Sequence, residues 1–90
     1  MFEFDPAKSA ANKAKHGIDF VEAQALWDGP VLLKLATVDY DGETRELFVG
    51  TIAGRHWTAV VTRRGGSIRI ISVRRARRSE EMAFDRGRIR

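Results

Sequence analysis

Apolar and polar positions change period twice along this chain, from two to roughly 3.6 and back to two. Phe2-Glu3-Phe4 alternates as a short strand does. Asp5-Pro6 then supplies an N-cap followed by proline at the first helical position. Ala7, Ala10, Ala11 and Ala14 fall in one arc of the helical wheel, opposite Lys8, Asn12, Lys13 and His16, and Gly17 suits the left-handed position that ends a helix. Asp19-Phe20-Val21-Glu22 reads as an acidic capping box opening a second short helix through Trp27, which Asp28-Gly29-Pro30 terminates. Four strands come next, over residues 31–38, 44–52, 56–62 and 67–73. Turns fall at Asp41-Gly42, Ala53-Gly54 and Gly65-Gly66. The last two strands are apolar on both faces and are expected in the middle of the sheet. Ser79 can cap a final helix through Phe84, leaving 85–90 as a flexible basic tail.

This order predicts an α+β fold: two N-terminal helices packed on a four-stranded, mainly antiparallel sheet, with a short C-terminal helix and the helices grouped on one face. Ninety residues suffice for a single domain spanning 1–90. Apolar residues at 43% and charged residues at 31% fit an ordinary globular chain rather than a disordered one. There is no cysteine, so disulfides and thiol chemistry are excluded, in keeping with a reducing cytoplasm. No apolar run reaches the roughly 18 residues of a membrane helix, and the acidic start MFEFD is unlike a signal peptide. No membrane partner is expected.

Charge changes the picture more. Residues 1–45 hold five bases against eight acids, whereas residues 46–90 hold eleven arginines against four acids. The densest run, GGSIRIISVRRARRSE, joins an apolar strand to Arg74, Arg75, Arg77 and Arg78. Guanidinium forks on a strand end suit phosphate, so a polyanion, in the first place nucleic acid, is the expected partner.

Four segments together resemble the BrnT toxins of bacterial type II toxin–antitoxin systems: FEFDPAKSAANKAKHGIDFVEA, GETRELFVG, VTRRGGSIRIISVRRA and RRSEE. The resemblance implies a RelE/ParE-like fold and a metal-independent ribonuclease that halts translation. It also implies a BrnA-like ribbon-helix-helix antitoxin that neutralises the toxin in a hetero-oligomer and carries operator DNA binding. The chain departs from the family in one place, reading Val61-Thr62-Arg63-Arg64 where members often carry Tyr-Thr-Glu-Arg.

Metal-free RNA cleavage uses the 2′-hydroxyl as nucleophile. It needs a proton acceptor, charge stabilisation at phosphorus and a proton for the leaving 5′ oxygen. His16 is the candidate acid or base, or else a cation steadying the end of its helix. Glu43 and Arg45, two apart on one strand face, read as base and phosphate clamp or as a surface ion pair. Arg74 and Arg75 are candidates for transition-state stabilisation, with Arg69 expected on the same face as Arg75 and Arg74 on the other. Lys13, Glu43, Arg64 and Arg69 complete the expected RNA contacts. No residues stand at metal-ligand or phosphate-loop spacing, so neither metal nor other cofactor is expected. A non-catalytic module acting through antitoxin binding and operator repression, a plain RNA binder and a ParE-like gyrase poison remain alternatives at this point.

Overall fold

The computed structural model describes residues 1–88. Its elements are β1 (Phe2–Glu3), α1 (Pro6–His16), a 3-10 helix (Glu22–Asp28), β2 (Leu33–Tyr40), β3 (Glu43–Ile52), β4 (Arg55–Arg64), β5 (Ser67–Arg75) and α2 (Arg78–Arg88). The sheet has five strands, not four, in the order β1-β5-β4-β3-β2. The four long strands form an antiparallel meander, and β1 adds a two-residue parallel pairing, Phe2 to Ile68 and Glu3 to Arg69. β4 is central, but β5 lies next to the short edge strand.

The local punctuation agrees with the sequence. Asp5 accepts a hydrogen bond from the Ala7 amide, Pro6 opens α1, and Gly17 ends it at φ 82° with its N–H on the Lys13 carbonyl. Asp19 and Glu22 form the reciprocal box: Asp19 Oδ1 accepts from the Val21 and Glu22 amides, and Glu22 Oε1 accepts from the Asp19 amide. The box opens a 3-10 helix rather than an α-helix.

The face of α1 reverses the wheel. Its buried residues are Ser9 and Asn12, and the alanine arc is exposed. Asn12 explains why. Its amide donates to the Ile18 and Val73 carbonyls at 2.8 and 2.9 Å and accepts from the Val73 amide at 3.3 Å. It thus occupies the edge of β5 where β1 stops. Ser9 Oγ accepts from the Phe20 amide at 2.9 Å. Four methyl groups bury little area, so hydrogen bonds to otherwise orphaned backbone decide the orientation.

The apolar contacts come instead from Ile18, Phe20, Ala23 and Leu26, which pack on Phe48, Trp57, Ala59, Val61, Ile70 and Val73. Gly50 admits this layer: a Cβ there would meet Leu26 and Leu32 at 3.2 Å.

α2 takes the opposite face. Thr58 and His56, which alternate with core residues Trp57 and Ala59, bond to Glu80 and Asp85 of α2 at 2.9 and 3.0 Å. Phe84 is buried there, edge-on to His56 at 5.3 Å. The helices are therefore not grouped on one face. Nor is Ser79 the cap: α2 begins at Arg78, and Glu80 Oε1 accepts from the Arg77 amide at 2.8 Å. The expected tail at 85–90 is helical through Arg88, and its positions 89–90 lie outside the described residues.

Asn12→Ala is expected to cost about 2–4 kcal/mol, because it strands the Val73 amide and carbonyl. A urea midpoint moved by less than the equivalent of about 0.5 kcal/mol would place Asn12 among ordinary surface positions.

Candidate functional site

Register decides which charged side chains meet. Two cross-strand rows occupy the α2 face of the sheet at the end carrying the Asp41-Gly42 and Gly65-Gly66 turns. One row runs Val38, Arg45, Thr62, Arg69 through the pairings Val38–Arg45, Arg45–Thr62 and Thr62–Arg69. The outer row holds Tyr40 paired with Glu43, and Arg64 paired with Ser67. α2 sits over the opposite end, so these rows are open.

Arg45 is the unusual member. Its Cζ lies 4.7 Å from the centroid of the Tyr40 ring, and its Nε is 3.5 Å from Glu43 Oε1. That is ion-pairing range, yet the buried Nε makes no hydrogen bond. Neither Nη has a hydrogen-bond partner among the described residues. Glu43 also meets Arg64 Nη2 at 3.4 Å. One carboxylate therefore serves two guanidiniums, leaving the trio with a net charge of about +1. Arg69 is neutralised separately by Glu3 at 3.2 Å. Thr62 Oγ1 is spent on the Thr44 carbonyl at 2.9 Å, which fixes the floor between the arginines.

The other expected site residues lie elsewhere. Arg74 shares the α2 face with Arg69, whereas Arg75 is on the core face, the reverse of the even alternation expected from sequence. The cause is a bulge: Val60 pairs with Ser72 and Val61 with Ile70, so Ile71 is an extra residue and the phase shifts by one. Both Arg74 Nη atoms bind Glu80, at 2.7 and 2.9 Å. That bond, aided by the Arg77 amide and the Thr58 hydroxyl against the cost of burial, holds the Glu80 carboxyl at about 2. Arg74 is thus an anchor for α2, not an open phosphate clamp.

Arg75 stacks on Trp57 at 5.5 Å and donates to the His56 carbonyl at 3.4 Å. Lys13 is bound to Glu22 at 2.8 and 3.0 Å, and the pairing raises its pKa and lowers that of Glu22. His16 ends α1 beside Gly17, which with Ile18 and Trp57 lines a hollow at the far end of the core face. From Trp57 to Thr62, the register partner of Arg45, is five residues of strand, about 17 Å, and Arg45 projects from the opposite face of the sheet. His16 and Arg45 cannot act on one phosphodiester. Of eight expected residues, the fold brings together Glu43, Arg45, Arg64 and Arg69.

Sequence reasoning misses Tyr40. A signal is present, because alternation with Val38 puts it on the Arg45 face, but its place before Asp41-Gly42 reads as turn.

A model of the ribonuclease toxin BrnT of type II toxin–antitoxin systems matches residues 4–80. The chain belongs to the BrnT family. It is a ribonuclease toxin, and its system supplies an antitoxin partner. No curated protein matches the chain. Val61 and Arg63, where the resemblance leads to an expectation of tyrosine and glutamate, flank the register partner of Arg45 but project from the opposite face of the sheet. Val61 is fully buried in the core, and Arg63 meets Glu46 at 2.7 Å on the core face. Among the described residues no helix is long and apolar enough to cross a membrane.

For this BrnT protein the Arg74–Glu80 anchor carries a pH signature. Glu80 is depressed when folded, so its contribution is complete above about pH 4.5 and disappears as pH falls toward 2. A shift of this size is worth about 3 kcal/mol. Glu80→Gln should lower stability at pH 7 and flatten the acid limb of a urea-unfolding series. A variant with the parent's acid limb would contradict the anchor.

Proposed function

We propose that this protein cuts single-stranded RNA endonucleolytically, without a metal, through the 2′-hydroxyl, and so halts translation in the cytoplasm. The observation that carries the reading is Arg45: a fork with two unpaired Nη groups, fixed against Tyr40, in a cluster of about one net positive charge. That charge complements one phosphodiester. The two Nη groups take the non-bridging oxygens and hold the charge that develops at phosphorus. Glu43 accepts the proton of the 2′-hydroxyl. The 2′ oxygen attacks phosphorus, the bond to the 5′ oxygen breaks, water protonates the departing oxygen, and the hydroxide left behind takes the proton back from Glu43. The products are a 2′,3′-cyclic phosphate and a 5′-hydroxyl. Arg64 and Arg69 hold flanking phosphates.

A BrnA-like ribbon-helix-helix antitoxin is proposed to cover this end of the sheet in a hetero-oligomer and to supply the contact with operator DNA. The exposed Val38 and Tyr40, rimmed by arginines, support a partner with apolar and acidic residues there. The non-catalytic alternative would draw on the missing tyrosine and glutamate, but their positions are on the other side of the sheet, so it gains no support from them.

With EDTA present, Arg45→Ala is expected to slow cleavage of a single-stranded RNA by about 100- to 1000-fold, the usual cost of one oxyanion donor. Glu43→Gln should cost a comparable factor. His16→Ala should cut within about threefold of the parent, since α1 ends far from the arginine row. Parent-like cutting by the Arg45 variant, or loss of all cutting in EDTA, would overturn the mechanism.

A further inference from the structure

Tyr40 is 60% exposed, which is unusual for an aromatic on a sheet whose other face is a packed core. Packing of the chain itself does not require it there. The neighbouring Val38 on the same face is 47% exposed, so Arg45 is the side chain that lies over the ring and much of Tyr40 stays open. Arg45 lies across the ring at 4.7 Å, with its Nη groups unpaired. An aromatic surface and a guanidinium that pairs with Glu43 but makes no hydrogen bond thus stand together, Tyr40 on β2 and Arg45 on the adjacent strand, one diagonal step apart.

We infer that Tyr40 is the base platform of the site: it stacks one unpaired nucleobase while Arg45 holds the adjoining phosphate. The inference rests on the reading of Arg45 as phosphate clamp and adds what selects the substrate. A base inside a duplex is stacked on its neighbours and cannot lie on Tyr40, so the platform restricts the protein to unpaired nucleotides. Stacking uses a π-face that every base has, so the preference is for single strands over duplexes rather than for one sequence. The phenol oxygen has no part in it.

The test separates binding from cutting. The probe is a single-stranded 2′-O-methyl oligonucleotide containing 2-aminopurine, which cannot be cleaved through the 2′ oxygen. The full-length parent should bind it and quench its fluorescence, and a duplex of the same sequence should compete weakly. Tyr40→Leu keeps an apolar strand residue but removes the ring. It should bind about 5- to 100-fold more weakly, the range for one stacked base, and lose the quench. Tyr40→Phe should restore both. Thermal unfolding of the variants alongside establishes that they are folded.

Parent-like affinity and quenching by folded Tyr40→Leu would overturn the inference, as would equal competition by the duplex. Loss of cleavage in that variant with binding intact would also overturn it, leaving Tyr40 as a support for Arg45. Should the parent bind and quench but cut nothing, the cleavage mechanism fails and the platform stands.

Discussion

One extra residue in β5 sets which side chains meet the core and which meet solvent. Ile70 and Val73 are three apart, so in an evenly alternating strand they would face opposite ways. The bulge at Ile71 brings both inward, opposite Val61 and Ala59, where all four are buried. The same shift puts Arg69 and Arg74 on one face and sends Arg75 to the other. Core packing and the distribution of positive charge are consequences of one phase change. Register slips of this kind move a whole set of side chains at once.

Pairing then decides what that charge can do. Glu3 and Glu80 each neutralise an arginine of the sheet, Glu46 is shared between Arg63 and Lys34, and Glu43 is shared between Arg45 and Arg64. A guanidinium already held in a bidentate bond has little to offer a phosphate. Arg74 is in that position, tied beneath α2, and the density of arginines around it in the sequence therefore misleads. Arg45 differs because Glu43 stands at ion-pairing range without a hydrogen bond to it.

Much of this is legible in the residues. Asp5, Pro6, Gly17 and the Asp19–Glu22 box act through backbone hydrogen bonds within a few positions, so sequence alone locates them. The Glu43–Arg45 face comes from simple alternation in β3. Three features are not local. The bulge at Ile71 is fixed by what faces it across the sheet. The burial of Asn12 rather than the alanines depends on an unfilled edge of β5, created because β1 is only two residues long. The side taken by α2 depends on Thr58 and Arg74 meeting Glu80. His16 is attractive as a proton carrier because its residue type suits the chemistry, but residue type says nothing of distance.

The central claim is that phosphate is received at the turn-bearing end of the open face, around Arg45. Amide chemical-shift mapping with a non-cleavable single strand tests it most directly. The account predicts perturbations over residues 38–45 and 62–69, with those around His16, Trp57 and Arg75 unmoved. Shifts concentrated at the latter group, with the Arg45 region silent, would contradict it.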